Sequence, residues 1–259
     1  MGEITERVSG AVAKQVEANL LREVRQDPLP AHIGIIMDGN RRFAEEIGVP
    51  AVKGHEFGRD TLENVLDWCL ELGIRHLTVY AFSTENFNRN PFEVKRLMEL
   101  FEENFLKMAK DERVHKNRIH IRAIGQIERL PKRVRNAIRA AESATADYDA
   151  YDYTIAVAYG GRQELIDAVR DIATAVKEGR LSPSAIDEKL ISQHLYTSHL
   201  PDPDLILRTS GEERISNFLL WQMAYAELYF TDIYWPGFRR IDFLRALRTY
   251  QMRKRRYGE

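Results

Sequence analysis

Short apolar runs alternate with longer amphipathic segments along most of the chain, and this alternation limits the possible folds more than any other feature of the sequence. Each run has the length of a β-strand, whereas the segments between them carry apolar residues three and four positions apart, like one face of an α-helix. Strands and helices in alternation predict an α/β fold whose mostly parallel sheet carries helices on both faces. The six predicted strands span 33–37, 76–82, 119–124, 153–158, 205–207 and 227–230.

The amphipathic segments predict helices, and the residues at their ends support this assignment. Pro91 and Pro131 stand in first turns, and Gly73 and Gly179 stand where two helices should end. An additional amphipathic helix is predicted near the N-terminus, over residues 10–26. The other predicted helices span 61–72, 92–110, 131–146, 163–177 and 242–252.

One domain is predicted for residues 1–259, because no shift in composition, internal repeat or low-complexity tract divides the chain. Its 38 basic and 39 acidic residues give a net charge of −1, which argues against a protein that coats nucleic acid. A neutral total can still hide a local cluster of arginines that faces an anion. The single cysteine, Cys69, excludes an intramolecular disulfide, and with no signal peptide or membrane-spanning run in the sequence it favours the cytoplasm.

Three arginine-bearing segments follow predicted strands, and ligands of such sheets bind at the carboxyl ends of the strands. In the first segment, 38–43, Arg41 or Arg42 could grip a phosphate while Asp38 holds a hard cation such as Mg²⁺. An equally supported alternative is a turn in which Asp38 caps the next helix and pairs with Arg42. The second segment, 83–91, is explained in part by turn-forming residues before a proline.

The third segment, 207–217, places Arg208 and Arg214 on either side of a Ser-Gly turn. With Ser216, the two guanidinium groups could bind a diphosphate in a fork, since each binds phosphate oxygens in pairs. In isolation, a solvated loop in which Arg214 pairs with Glu212 is the favoured alternative. The convergence of three such loops at one edge shifts the balance towards an anion site. His55, near the start of the helix that ends at 72, could donate a hydrogen bond to phosphate or relay a proton.

Most known nucleotide and metal motifs are absent from the sequence. It has no Gly-rich loop ending in Lys-Ser/Thr, and Tyr159-Gly160-Gly161-Arg162 lacks the third glycine of a dinucleotide fingerprint. Paired cysteines and a nucleophile elbow are missing too, which argues against zinc chemistry and serine hydrolysis.

The chain resembles the cis-prenyltransferases from about residue 32 to 257. Several long motifs in the family's order carry this resemblance, namely those at 32–42, 54–55, 80–89, 159–162, 208–222 and 224–227. The resemblance implies a transferase of isoprenoid biosynthesis. It would condense isopentenyl diphosphate onto an allylic diphosphate with a new Z double bond, and repeat this to give a long polyprenyl diphosphate. Such a product is the precursor of a glycosyl carrier lipid such as dolichol or undecaprenol.

The same resemblance implies roles for individual residues, with Mg²⁺ as the cofactor. Asp38 would hold the metal and Glu227 would be its second carboxylate, while Asn86 would orient the reacting group and a diphosphate oxygen or Asp38 would accept the proton. The allylic substrate would be held by Gly39, Asn40, Arg41, Arg42, Phe43 and His55. The isopentenyl diphosphate site would comprise Arg208, Arg214, Ile215 and Ser216. The loop that closes over both substrates would carry Ser83, Thr84, Glu85, Phe87 and Arg89.

The family holds its apolar product in a hydrophobic tunnel between two helices and the sheet. By helical spacing alone, the candidate lining residues are core positions, and they are Leu62, Val65, Leu66, Ala81, Leu97, Leu100, Phe101 and Phe105. Arg41 and Ser210 resemble the archaeal and eukaryotic branch rather than the bacterial one, so farnesyl and geranylgeranyl primers are both open. The family's habit also implies a homodimer.

Two rival functions are weighed against this one. A non-catalytic homologue that only binds a partner should have lost Asp38 or the Arg208-to-Ser216 motif, and the sequence keeps both. An RNA-binding module would use the basic runs 132–135 and 253–256, which are more typical of solvated helix faces. The second run could also attract anionic lipid in a peripheral membrane contact where the product leaves.

Overall fold

Six parallel strands form one sheet in the computed structural model, which describes residues 14–254 apart from the side chain of Lys254. The strand order is β3-β4-β2-β1-β5-β6, and every neighbouring pair is parallel. The predicted six-stranded parallel sheet in a single domain is therefore confirmed. The strands are β1 (His32–Ile36), β2 (His76–Ser83), β3 (Ile119–Ile124), β4 (Tyr151–Tyr159), β5 (Leu205–Arg208) and β6 (Glu227–Phe230).

The helices lie between the strands, as their spacing predicts. Short helices of seven residues or fewer were not resolved by the sequence pattern, because they span too few turns for a period to show. Within the described range the helices are α1 (14–24), α2 (Asn40–Glu46), α3 (Ala51–Leu72), α4 (Pro91–Met108), α5 (Glu112–Lys116), α6 (Lys132–Ala144), α7 (Gly161–Lys177), α8 (Glu188–Gln193) and α9 (Arg240–Lys254).

Helix α3 begins ten residues earlier than its predicted start at 61, because its first turns contain two glycines that weaken the apolar pattern. These glycines let α2 approach closely. A Cβ atom on Gly54 would lie 2.0 Å from the Asn40 carbonyl oxygen, and one on Gly58 would lie 2.0 Å from Asn40 Oδ1. The backbone of α3 is therefore held directly against the segment that follows β1.

Two apolar clusters lie on the two faces of the sheet. The larger one joins alternate residues of the strands, such as Ile33 and Ile35, to α3, α4, α6 and α9. The smaller one, on the opposite face, contains Tyr80, Tyr159 and Phe218.

Helix α1 packs on the larger cluster through Leu20 and Val24, and Gln251 of α9 donates a hydrogen bond to the Val24 carbonyl oxygen at 2.8 Å. Of the predicted N-terminal helix, residues 10–13 lie outside the described part of the chain. None of the helices within residues 14–254 combines the length and the apolar character needed to cross a bilayer.

The parallel sheet brings the carboxyl ends of all its strands to one edge, which we call the carboxyl edge. The segments after β1, β2 and β5 lie there, so the three arginine-bearing loops do converge.

Glu227 does not join them. It is the first residue of β6 and pairs with Leu205, the first residue of β5, so it lies at the opposite edge of the sheet. Its predicted position beside Asp38 is wrong for a single chain.

Candidate active site

A cavity of about 700 Å³ opens at the carboxyl edge and runs between the sheet, α3 and α4. Its outer part, at the carboxyl edge, is lined by polar and charged side chains. Its inner part is lined mostly by apolar ones, with a second charged group near the carboxyl end of α4 formed by Glu63, Lys107, Asp111 and Arg113. The predicted tunnel residues line the inner part, except Val65, which is fully buried in the core. Those that line it are Leu62, Leu66, Ala81, Leu97, Leu100, Phe101 and Phe105.

Asp38 stands just beyond β1, at the mouth of this cavity. Its Oδ1 accepts a hydrogen bond from the Gly39 N–H at 2.7 Å, and its Oδ2 lies 2.7 Å from Arg208 Nη2 and 3.4 Å from Arg42 Nη2. Burial alone would raise the pKa of Asp38, but the hydrogen bond and charge of Arg208 outweigh it and lower the pKa. Asp38 is thus a carboxylate anion near neutral pH.

Gly39 has the conformation that the turn after Asp38 requires. Its φ of 101° is rarely open to other residues, and a Cβ atom there would lie 2.8 Å from the Tyr234 ring. Gly39 occupies the N-cap position of α2, and no side chain caps this helix. The alternative interpretation has Asp38 cap α2 and pair with Arg42. The ion pair with Arg42 is present, but the cap is not.

Arg208, at the end of β5, is 3% exposed and joins Asp38 to the following loop. Its Nη1 donates to Ser216 Oγ at 2.7 Å and to the Arg214 carbonyl oxygen. Its Nε is buried without a partner. Arg214 is exposed and pairs with Glu212, as the solvated-loop alternative has it, and Glu212 also lies 3.2 Å from Arg42 Nη1.

A second cluster of basic side chains surrounds Glu93 in the first turn of α4. Its carboxylate lies 3.1 Å from Arg89 Nη1, 3.4 Å from His55 Nε2 and 3.9 Å from Arg41 Nη1. Sequence reasoning missed Glu93, because an acidic residue just after Pro91 is ordinary at a helix start. Burial lowers the pKa of His55, and the neighbouring Glu93 opposes this shift only in part.

The loop 83–89, which follows β2, folds into one 3₁₀ helix at Thr84–Asn88. Asn86 Oδ1 accepts a hydrogen bond from the Ser83 N–H at 3.1 Å, so the amide holds the loop's first turn. Phe87 does not line the cavity. It packs edge-on against Phe82 at 4.9 Å between ring centroids, and the Arg129 guanidinium lies over its ring at 4.4 Å.

The structure brings many of the predicted site residues to one cavity wall and leaves others beside it. On the wall lie Asp38, Asn40, His55, Ser83, Glu85, Asn86, Arg89, Arg208, Arg214 and Ser216. Next to the cavity but not lining it are Gly39, Arg41, Arg42, Phe43, Thr84, Phe87 and Ile215. Asn217 lines the cavity as well, although no role was predicted for it.

Glu227 points to a different part of the molecule. Its carboxylate lies 3.1 Å from Arg253 Nη1 on α9. Three residue steps along the strand separate Glu227 from Phe230, a distance of about 10 Å, and Asp38 lies beyond the level of Phe230. One Mg²⁺ has its ligands at about 2 Å, so within this chain it cannot contact both carboxylates.

Comparison with known proteins identifies the family to which the chain belongs. A family model described as "Putative undecaprenyl diphosphate synthase" matches residues 36–258. The chain belongs to the cis-prenyltransferase family. It is a prenyltransferase of the polyprenyl diphosphate synthase type. Its fold is the cis-prenyltransferase fold, as expected from the sequence motifs.

Archaeal relatives are similar over nearly the whole chain. The chain is 56% identical to the tritrans,polycis-undecaprenyl-diphosphate synthase (geranylgeranyl-diphosphate specific) of Methanopyrus kandleri, over 95% of this chain and 91% of that protein. A protein of the same name from Methanocaldococcus jannaschii is 54% identical, over 97% and 90%. Among solved structures, lavandulyl diphosphate synthase from Lavandula x intermedia, in complex with dimethylallyl diphosphate, has a TM-score of 0.81 and 38% identity, over 86% and 95%.

Proposed function

We propose that this cis-prenyltransferase condenses isopentenyl diphosphate repeatedly onto an allylic diphosphate, giving a long-chain Z-polyprenyl diphosphate that serves as precursor of a glycosyl carrier lipid. One observation carries this proposal: a single cavity is charged at its mouth and mostly apolar where it runs between the sheet, α3 and α4. Each substrate has a diphosphate head and an isoprenoid tail, and the product keeps the head while its tail grows.

The two charged groups at the mouth match two diphosphates. Arg208, Arg214 and Ser216, with the backbone at Ile215, form the proposed isopentenyl diphosphate site. The proposed allylic diphosphate site lies beside Asp38, where it is formed by Gly39, Asn40, Arg41, Arg42, Phe43 and His55. The basic side chains of this site contact Glu93 and Glu212, and the loop with Ser83, Thr84, Glu85, Phe87 and Arg89 closes over both diphosphates.

The donor set at Asp38 fits Mg²⁺ bound jointly with substrate. Among residues 14–254, no group of three or more histidine, cysteine, aspartate or glutamate side chains is arranged to hold a metal ion by itself. Mg²⁺ commonly takes one or two carboxylates together with substrate phosphates and water, and Asp38 is ionised and faces the cavity. Bound there, the ion would neutralise charge that develops on the departing diphosphate.

The groups at the cavity mouth differ in their ability to accept the proton that leaves the isopentenyl unit. Asn86 has a neutral amide without useful basicity, and its oxygen already accepts a hydrogen bond from the Ser83 N–H. Asp38 is a weak base, because Arg208 lowers its pKa. We therefore assign the proton from the isopentenyl unit to a diphosphate oxygen and keep Asn86 as the residue that orients the reacting group.

Geranylgeranyl diphosphate is the proposed primer rather than farnesyl diphosphate. The archaeal relatives at 56% and 54% identity are named geranylgeranyl-diphosphate specific, which supports this choice. A homodimer and a cytoplasmic location complete the proposal. The free thiol of Cys69, which is buried, is compatible with a reducing compartment.

The test is incubation of the protein with labelled isopentenyl diphosphate, Mg²⁺ and dimethylallyl, farnesyl or geranylgeranyl diphosphate, with product length read by chromatography. We expect long Z-polyprenyl products, with the highest turnover from geranylgeranyl diphosphate. Asp38→Asn keeps the hydrogen bond from Gly39 and removes the charge, so it should abolish most of the turnover. A folded protein that elongates none of the three primers would refute the proposal.

A further inference from the structure

The turn at Gly160-Gly161, between β4 and α7, has no part in the chemistry proposed above, although the resemblance includes it. The space around it explains both glycines. A Cβ atom on Gly160 would lie 2.8 Å from Asn217 Nδ2 and 2.9 Å from Thr84 Oγ1, and one on Gly161 would lie 2.7 Å from Leu220 Cγ. The loops that carry Thr84 and Asn217 therefore pack directly against the backbone of this turn.

Asn217 is the residue that joins this turn to the diphosphate loop. The Gly161 N–H donates to the Asn217 carbonyl oxygen at 2.7 Å, and the Arg162 N–H donates to Asn217 Oδ1 at 2.9 Å. Two N–H groups that lack partners within α7 are thus satisfied by Asn217, a residue distant in sequence. Asn217 has a φ of 65° and Ser216 one of 47°, so this segment is held in a conformation that needs such support.

The same side chain reaches the loop 83–89 on its other side. Asn217 Nδ2 donates to Glu85 Oε1 at 3.3 Å. Burial alone would raise the pKa of Glu85, but hydrogen bonds, including the one from Asn217, lower it, so the acceptor is a carboxylate. Asn217 also directly follows Ser216, whose hydroxyl binds Arg208 at 2.7 Å. Three loops at the carboxyl edge thus meet at one amide.

We propose that Asn217 is a positioning residue that couples the diphosphate site at Arg208 and Ser216 to closure of the loop 83–89 through Glu85. The inference rests on the proposed function, because the ligand of that site is taken to be isopentenyl diphosphate. A diphosphate bound at Ser216 further stabilises the 216–217 segment, and the existing hydrogen bond from Asn217 to Glu85 then keeps the loop over the cavity. The α7 N-terminus and the two glycines supply the rigid support from which Asn217 acts.

The experiment exchanges the amide and the carboxylate of the Asn217–Glu85 pair. Asn217→Asp still accepts from the Arg162 N–H, and its charge is favourable at a helix N-terminus, but it sets a carboxylate against Glu85. The double variant Asn217→Asp/Glu85→Gln restores one amide and one carboxylate on opposite sides. Asn136→Asp makes the same chemical change on an exposed face of α6 and serves as the control.

Asn217→Asp should raise KM for isopentenyl diphosphate by about tenfold, the usual scale for a lost hydrogen bond to a charged group, and change KM for the primer less than about twofold. The double variant should recover most of this loss, and Asn136→Asp should match the wild type. Equal changes in both KM values, or a double variant no better than Asn217→Asp, would overturn the coupling. Asn217→Gly, which keeps the backbone conformation, should share the defect without being rescued by Glu85→Gln.

A second measurement does not require turnover. Inorganic diphosphate should slow amide hydrogen exchange in residues 83–89 of the wild type and of the double variant, but not of Asn217→Asp. Equal protection in wild type and Asn217→Asp would overturn the coupling whatever the activity. A wild type that makes no product but shows the predicted exchange pattern would instead refute the proposed function alone.

Discussion

Each arginine at the cavity mouth has a carboxylate partner, and these pairings define the site residue by residue. Arg208 is held by Asp38, Arg42 by Glu212, and Arg89 by Glu93. A cation held in this way keeps its position while the site is empty, which reduces the reorganisation needed when an anion binds. A net charge of −1 for the whole chain is therefore compatible with a strongly polarised site.

Replacement of Glu93 tests this arrangement at His55. Burial lowers the pKa of His55, and Glu93, at 3.4 Å from its Nε2, is the main group that opposes the shift. Glu93→Gln should therefore lower the pKa of His55 further, as measured by NMR titration of its ring protons. The exposed Glu46→Gln is the control. An unchanged or higher pKa in Glu93→Gln would contradict the assignment of Glu93 as the partner of His55.

At the scale of elements, close contacts between the α3 backbone and Asn40 position the site. Helix α2, which carries Asn40 and Arg41, is held against α3 at Gly54 and Gly58. The strands were predictable because they are buried apolar runs, and the start of α3 was not, because glycines carry no apolar signal. Glu93 was missed because an acidic residue is ordinary in the first turn of a helix. Asn217 was missed because its partner Glu85 lies 132 positions away in sequence.

Gly54→Ala tests whether helix propensity or close packing has the larger effect on stability at this position. Alanine is favoured over glycine inside a helix by about 1 kcal/mol, so propensity alone predicts a more stable protein. The added methyl group would lie 2.0 Å from the Asn40 carbonyl oxygen, which is backbone and cannot rotate away. We expect the free energy of unfolding in urea to fall by about 1–3 kcal/mol, the usual cost of overpacking. A variant as stable as the wild type would contradict the close contact of α2 with α3.

The two ends of the strands differ in chemistry, with the proposed reaction at the carboxyl edge and the buried His32 at the amino end. The sequence predicted the carboxyl-edge loops correctly, but it misplaced Glu227, because a residue that begins a parallel strand belongs to the amino end. At that end His32 is 1% exposed, and its ring nitrogens contact the Pro201 carbonyl oxygen at 2.7 Å and Thr78 Oγ1 at 2.8 Å. Burial lowers its pKa from 6.5 to about 4.

This shift predicts that acid destabilises the fold. Between pH 6.5 and 4 the unfolded chain binds a proton at His32 that the folded chain does not, so stability falls as the pH falls. The loss from this group should be about 2 kcal/mol at pH 5 and about 3 kcal/mol below pH 4. Urea unfolding of wild type and His32→Asn at pH 7 and pH 5 measures it. The variant should lose less stability over this interval, and equal losses would contradict the prediction.

The central claim is that one cavity both performs the condensation and contains the growing product. Leu66→Trp fills part of the inner cavity from α3, and Leu106→Trp makes the same change on the exposed face of α4. The decisive measurement is the product length distribution of both variants and the wild type with the same primer. Shorter products from Leu66→Trp, with Leu106→Trp unchanged, are the predicted result. Identical distributions from all three active proteins would contradict the claim.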